Sequence, residues 1–148
     1  INLSGMFYCI KNAIPIMKKQ RSGSVINIST ASVKVGLPNR LPYVTSKAGV
    51  HGLSHTLARE VGPFNIRSNI ILPGFIDNLR GVDIATAYAK DRGVSVEEVE
   101  AEFLEMISMR TKIMMSEIGE TAVFLASDKA KHITAQEIAV DGNLEWVG

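Results

Sequence analysis

The chain has 148 residues, about the length of one folded domain, and we expect residues 1–148 to form a single domain. Its 16 lysines and arginines nearly balance its 15 aspartates and glutamates, which leaves a net charge of +1. It therefore lacks the basic excess typical of nucleic-acid binding. Hydrophobic residues make up 46%, and no run reaches the roughly 18 uncharged apolar residues of a membrane helix. Neither nucleic acid nor a membrane is expected as a partner.

The single cysteine and the first residues bear on location and completeness. Cys9 cannot form an internal disulfide, which suits a reducing compartment, so we expect a cytoplasmic protein with Cys9 buried as a small apolar residue. The sequence begins Ile1-Asn2-Leu3 without an initiator methionine or a signal peptide. We expect that a preceding segment belongs to the same protein.

The first half of the chain predicts a helix, a strand and a second helix. Apolar residues three and four positions apart, from Leu3 to Met17, predict a helix over 3–19. The β-branched run over 24–30 predicts a strand buried on both faces. A second helix is predicted from about Pro42 to Val61, where Gly62 ends it.

The second half predicts two more strands and two more helices. Residues 66–72 form a strand candidate that Pro73 ends, and residues 137–140 form a last one. Ser95 and Glu98 have the spacing of a capping box, and Ser116 is the expected N-cap of a further helix.

This alternation of helices and strands is typical of an α/β protein with a doubly wound, Rossmann-like parallel sheet. Three strands with crossover helices are visible in the sequence. Three strands are few for this class of sheet, which again suggests a missing N-terminal part.

One pair of residues could carry chemistry. Tyr43 and Lys47 are four positions apart on the second predicted helix, so the phenol and the ammonium share a face. A free tyrosine titrates near pH 10, and a neighbouring cation favours the phenolate, so the pair could exchange a proton with an alcohol or a carbonyl oxygen. By spacing alone, an ordinary surface pair explains the pattern better than a catalytic one.

The strand ends supply a context for this pair. Thr30 lies at the carboxyl end of the first strand, thirteen positions before Tyr43, and Pro73-Gly74 lies at the end of the second. Ligand sites in open α/β sheets gather outside the carboxyl ends of the strands. These residues could therefore share one site.

With these residues, the sequence resembles the short-chain dehydrogenase/reductase family over essentially its whole length. The matching segments are Asn2-Leu3-Ser4-Gly5, Val25 to Thr30, Tyr43 to Gly49, Ile66 to Asn69, Pro73 to Ile76, Phe124 to Asp128 and Val140 to Gly142.

The resemblance implies a role for each matching catalytic position. Tyr43 is then the general acid/base, and Lys47 favours its phenolate and hydrogen-bonds the nicotinamide ribose. Thr30 stands at the position of the serine that orients the substrate oxygen. Asn2 stands at that of the asparagine that holds a water in the proton relay.

The resemblance also implies a nicotinamide site for NAD or NADP. Besides Tyr43 and Lys47, the implied contacts are Pro73, Gly74, Ile76 and Asn78, the last where many members have threonine. The segment 81–115 would form a substrate-binding lid. Small alcohols or ketones are the implied substrates, and a homo-oligomer, a dimer or tetramer, is the implied assembly.

The sequence departs from the family pattern at several points. Thr30 replaces the usual serine, so Ser29 or Ser32 could take over its role. Ala135 replaces a usual glycine. The glycine-rich turn that binds the dinucleotide pyrophosphate has no match, so the choice between NAD and NADP cannot be read.

Two functional hypotheses follow. The first is an NAD(P)-dependent oxidoreductase that transfers a hydride between nicotinamide and a secondary alcohol or ketone. The alternative is a truncated or degenerate subunit that acts through oligomer interfaces without catalysis. No metal site is expected, because His51 and His55 have helical spacing but no third ligand is apparent. Trp146, near the end of the chain, could pack at a subunit interface or lie in a simple surface tail.

Overall fold

The computed structural model describes residues 1–145, so Trp146 lies outside the described residues. Its elements, in chain order, are α1 (Ser4–Gln20), β1 (Gly23–Ile28), α2 (Ser32–Val35), α3 (Leu41–Val61), β2 (Ile66–Pro73), α4 (Leu79–Arg92), α5 (Val96–Glu105), α6 (Met115–Ala126) and β3 (Glu137–Val140). Single 3-10 turns follow α3 and α6.

The three strands form one parallel sheet in the order β1-β2-β3. Gly23 pairs with Ile66, and Ile70 pairs with Glu137. The central strand β2 is almost entirely buried, including its polar residues Ser68 and Asn69. The predicted α/β class, with three parallel strands and crossover helices, is confirmed.

Helices cover both faces of this sheet. On one face, Leu57 and Val61 of α3 pack with Ile66 of β2 against Ile10 and Ile14 of α1. On the other face, Leu125 of α6 packs with Ile71 of β2, beside Ile26 of β1. Successive residues of a strand point to opposite faces, so the two clusters lie on either side of the sheet.

The first strand differs from its prediction. Within residues 1–145, β1 pairs with β2 alone, and most of its residues are only half-buried. Ile28 is 36% exposed. The expectation of burial on both faces was therefore wrong, because the composition of a strand does not reveal how many neighbours cover it.

Two helices also differ from prediction. α6 starts at Met115, and the Glu117 carboxylate accepts from the backbone N–H of Met114 at 2.6 Å, so Ser116 is not the N-cap. α4 was not predicted; Asn78 caps it by accepting from the N–H of Gly81 at 2.8 Å. The predicted capping box at Ser95 is confirmed. Cys9 is exposed rather than buried.

A buried asparagine fixes the approach to β3. Asn69 of β2 is fully buried; its amide nitrogen donates to Ile133 O at 2.8 Å, and its amide oxygen accepts from Gln136 N at 3.0 Å. Ala135, between these partners, donates to Ser68 O at 2.8 Å and has φ of 56°. Its left-handed backbone is a conformation that favours glycine.

We expect Ala135→Gly to raise the free energy of unfolding by about 0.5–1 kcal/mol, because glycine adopts this conformation without steric cost. Urea denaturation of the chain measures the change. Ala87→Gly, at an exposed position in α4, is the matched control and should lower stability by about 1 kcal/mol. A loss of stability in both variants would contradict the interpretation.

Helices α4 and α5 fill most of segment 81–115 and pack on each other. Ala85 and Ala89 of α4 meet Val99 of α5, with Tyr88 and Phe103 at their edge. The hydroxyl of Tyr88 donates to the carbonyl of Pro38 at 3.3 Å. In residues 1–145, no helix has both the length and the apolar character needed to cross a membrane.

Candidate active site at the strand ends

Thr30 and Pro73 lie side by side at the carboxyl ends of β1 and β2. The backbone pairing continues past the end of β1, because Ser29 N donates to Ile71 O and Ala31 N donates to Pro73 O, each at 2.9 Å. This brings Thr30 to the edge where ligands of open α/β sheets bind.

The hydroxyl of Thr30 belongs to a small local network. Its Oγ1 donates to Ser32 Oγ at 3.1 Å and accepts from Ser32 N at 3.2 Å, and Thr30 is 8% exposed. The other two candidate hydroxyls are also engaged: Ser32 with Thr30, and Ser29 with Lys47 O at 3.1 Å. Ser29 is thus directed at α3, while Thr30 and Ser32 form one hydroxyl pair.

Lys47 is anchored to the end of β1. Its Nζ donates to the carbonyl of Ile28 at 2.8 Å, so the ammonium lies beside the strand that leads to Thr30. Burial lowers the pKa of Lys47 from its usual 10.5. Tyr43, one turn earlier on α3, is 39% exposed, so its side chain remains accessible to a ligand.

Asn2 approaches the same helix from the start of α1. Its amide nitrogen donates to Ser46 Oγ at 3.3 Å, and Ser46 Oγ donates to Tyr43 O at 2.7 Å. The structure therefore brings Asn2 to the turn of α3 that carries Tyr43 and Lys47, although the two residues are more than 40 positions away in sequence.

The loop after β2 is held tightly in place. Gly74 N donates to Val140 O at 2.9 Å, and a Cβ at Gly74 would lie 2.6 Å from the Cα of Asp141. Because the neighbour is backbone, only glycine fits at this approach. Ile76 forms a bridge with Ile113, and Asn78 uses its side-chain oxygen as the N-cap of α4.

A cluster missed by the sequence analysis lies behind Ser29. His51 Nε2 is 2.9 Å from Ser29 Oγ, and His51 Nδ1 is 2.7 Å from Glu137 Oε1. His55 Nε2 is 3.2 Å from the same oxygen. Glu137 lies on β3, 86 positions from His51, so no local pattern indicates this contact. Within residues 1–145, no group of three His, Cys, Asp or Glu is arranged to hold a metal ion.

The residues present fit the nicotinamide end of a dinucleotide. An ammonium has three N–H donors, so Lys47 can keep its contact with Ile28 O and still bind a ribose hydroxyl. The β-bridge of Ile76 with Ile113 is formed by the neighbours of Ile76: Phe75 O accepts from Ile113 N, and Asp77 N donates to Ile113 O. In the described part of the chain, the N–H of Ile76 itself donates to no backbone group, so it can bind a carboxamide. A glycine-rich turn for the pyrophosphate is absent from residues 1–145.

The carboxyl edge of the parallel sheet carries Thr30, and Lys47 of α3 is held beside it by Ile28 O. The family described as enoyl-(acyl carrier protein) reductase matches residues 1–144. The chain is 40% identical over 143 residues to the 3-oxoacyl-(acyl-carrier-protein) reductase FabG of Staphylococcus aureus, covering 97% of the chain and 54% of that protein. The chain belongs to the short-chain dehydrogenase/reductase family, whose members are NAD(P)-dependent oxidoreductases.

Solved structures agree with this assignment. The actinorhodin polyketide ketoreductase with NADPH matches with a TM-score of 0.89 and 27% identity, covering 96% of this chain and 55% of that one. An NAD⁺-bound xylitol dehydrogenase also matches with a TM-score of 0.89 and 27% identity, covering 96% and 56%. The chain therefore spans about half the length of the proteins it matches, and NAD and NADP both occur among them.

Lys47 also makes the stability of the chain depend on pH. Its pKa in the folded state is lowered from 10.5, so between that lowered value and 10.5 the unfolded chain binds more protons than the folded chain. The contribution of Lys47 to the free energy of unfolding therefore rises with pH in this window. We expect the difference between wild type and Lys47→Met in urea titrations to grow in favour of wild type as the pH rises toward about 10.5. A difference that shrinks would contradict the assignment.

Proposed function

We propose that the full-length gene product is an NAD(P)-dependent oxidoreductase that transfers a hydride between nicotinamide and a secondary alcohol or ketone. The observation that carries this proposal is the anchoring of Lys47 to Ile28 O at 2.8 Å. This contact docks the helix with Tyr43 and Lys47 against the strand that ends at Thr30, in a chain of this family.

The bound nicotinamide would supply or accept the hydride, and the residues of this chain handle the proton and the alignment. Tyr43 donates its hydroxyl proton to the carbonyl oxygen on reduction and removes it from the alcohol on oxidation. Lys47 keeps one N–H on Ile28 O and directs the others at Tyr43 and the ribose. Thr30 turns its hydroxyl from Ser32 to the substrate oxygen. Asn2 holds a water that returns the proton from solvent.

The cofactor is held by the loop after β2 and by α3. Pro73 and Gly74 would line the nicotinamide pocket with backbone, and the Ile76 N–H and the side-chain nitrogen of Asn78 would hold the carboxamide. The side-chain oxygen of Asn78 already accepts from Gly81 N at the start of α4, so its nitrogen is the group assigned to the carboxamide. Segment 81–115, with Tyr88 near the loop at Pro38, acts as the substrate lid.

A substrate panel tests this function. The full-length gene product is assayed with NADH and NADPH on a 3-oxoacyl thioester, a sugar ketone and an alicyclic ketone, with cofactor oxidation followed by absorbance. We expect turnover of the 3-oxoacyl thioester first, because the Staphylococcus aureus relative is named for that reaction. A folded protein that oxidises neither cofactor with any of the three would overturn the proposal.

The second candidate, a non-catalytic subunit, has one observation in its favour. α1 and α3 border an apolar cleft of about 350 Å³ that includes Leu3, Phe7 and Leu53, and Phe7 is 49% exposed. We propose that a cytoplasmic homo-oligomer, a dimer or tetramer, buries this face. Sedimentation of the full-length gene product and of its Phe7→Glu variant tests the interface. An oligomer without turnover would favour the non-catalytic subunit.

A further inference from the structure

Three side chains join the two outer strands of the sheet through α3. Ser29 at the end of β1 contacts His51 of α3 at 2.9 Å, and His51 contacts Glu137 of β3 at 2.7 Å. We call Ser29, His51 and Glu137 the bridge. Ser29 is 3% exposed, and the His51 side chain is 17% exposed, so most of the bridge is shielded from water.

The contacts of the bridge can be related to one another by counting protons. Lys47 O can only accept, and Ser29 Oγ donates to it at 3.1 Å. The carboxylate oxygen of Glu137 can also only accept, so His51 Nδ1 donates to it at 2.7 Å. A third hydrogen bond, from His51 Nε2 to Ser29 Oγ at 2.9 Å, forms together with these two when the ring has a proton on each nitrogen. Glu137 holds the ring in the orientation that serves Ser29.

The bridge ends on the residue that anchors the site. Lys47 is fixed at two atoms by neighbouring residues of β1: its Nζ by Ile28 O at 2.8 Å and its backbone carbonyl by Ser29 Oγ at 3.1 Å. Without His51, the hydroxyl of Ser29 loses one of its two partners and can rotate away from Lys47 O. The turn of α3 that carries Lys47 then loses one of its two connections to the strand that ends at Thr30.

We infer that His51, oriented by Glu137, is a positioning residue that acts through Ser29 to hold Lys47 in register with Thr30. This inference rests on the proposed function of Tyr43 and Lys47. His51 touches neither cofactor nor substrate in this role. It differs from His55, which contacts the same carboxylate at 3.2 Å but has no contact with Ser29.

Matched leucine variants of the full-length gene product test the inference. We expect His51→Leu to lower kcat about tenfold with KM for the ketone unchanged, since small misalignments of catalytic groups have effects of this size. His55→Leu should leave kcat within about twofold of wild type. In a Ser29→Ala background, His51→Leu should cause little further loss of kcat, because both substitutions remove the same hydrogen-bonded connection to Lys47 O. If His51→Leu does not fold, Glu137→Ala, at a half-exposed strand position, replaces it with the same expected direction.

A spectroscopic readout separates this inference from the proposed function. In long-range ¹H–¹⁵N spectra of the histidine side chains, Ser29→Ala should shift Nε2 of His51 and leave both nitrogens of His55 in place. Additive losses of kcat, an unchanged kcat in His51→Leu, or an unmoved Nε2 resonance would each overturn the inference. Full turnover in Tyr43→Phe would instead overturn the proposed function, whatever the spectra show about the bridge.

Discussion

Tyr43→Phe should lower kcat of the full-length gene product about a hundredfold to ten-thousandfold, the range that a positioned general acid/base contributes. The change removes one hydroxyl and keeps the ring, so α3 and its contacts with β1 should be preserved. Initial rates with saturating cofactor and ketone measure the loss, and cofactor titration measures binding, which should change little.

The matched control for this variant is Tyr8→Phe. Tyr8 lies on α1 and is 61% exposed, and its hydroxyl has no place in the proposed site, so turnover should equal that of wild type. A Tyr43→Phe protein with wild-type turnover would overturn the assignment of Tyr43 as the general acid/base. Equal losses in both variants would show an effect on folding or assembly instead.

Lys47→Met should lower kcat about a hundredfold and raise KM for the cofactor about tenfold, because a charge-assisted hydrogen bond to the ribose is lost. Methionine keeps most of the aliphatic stem of lysine. It cannot donate to Ile28 O, so α3 also loses its side-chain anchor to β1. Steady-state kinetics with varied cofactor separate the two effects.

Lys131→Met provides the comparison for Lys47→Met. Lys131 is exposed, beyond the 3-10 turn after α6, so its loss should leave both constants near wild type. If Lys47→Met left the cofactor KM unchanged while lowering kcat, Lys47 would serve Tyr43 alone and not the ribose.

The strands and main helices were predictable because hydrophobic periodicity and capping patterns are local properties of the sequence. Four of the seven residues from Ile66 to Leu72 are Ile or Leu, and the run forms the central strand. The capping box of Ser95 and Glu98 forms as its spacing indicates. Within residues 1–145, β1 has one neighbouring strand; this was not predictable, because the number of neighbouring strands is a property of the whole fold.

The candidate site also combines features that follow from local sequence with features that depend on the whole fold. The pattern from Tyr43 to Lys47 lies on one helix, so its local geometry follows from sequence. The contact of Lys47 with Ile28 O and that of Asn2 with Ser46 depend on how α1 and α3 pack on the sheet. The pairing of His51 with Glu137 joins residues far apart in the chain, and no spacing rule connects them.

The position of the nicotinamide can be determined in a crystal structure of the full-length gene product with bound NADH or NADPH. We expect the nicotinamide at the carboxyl ends of β1 and β2, with Lys47 Nζ on the ribose and the Ile76 N–H on the carboxamide. Thr30 and Tyr43 should face the ring from the substrate side. A nicotinamide that lies away from Lys47 and Ile76 would show that these residues do not form the cofactor site.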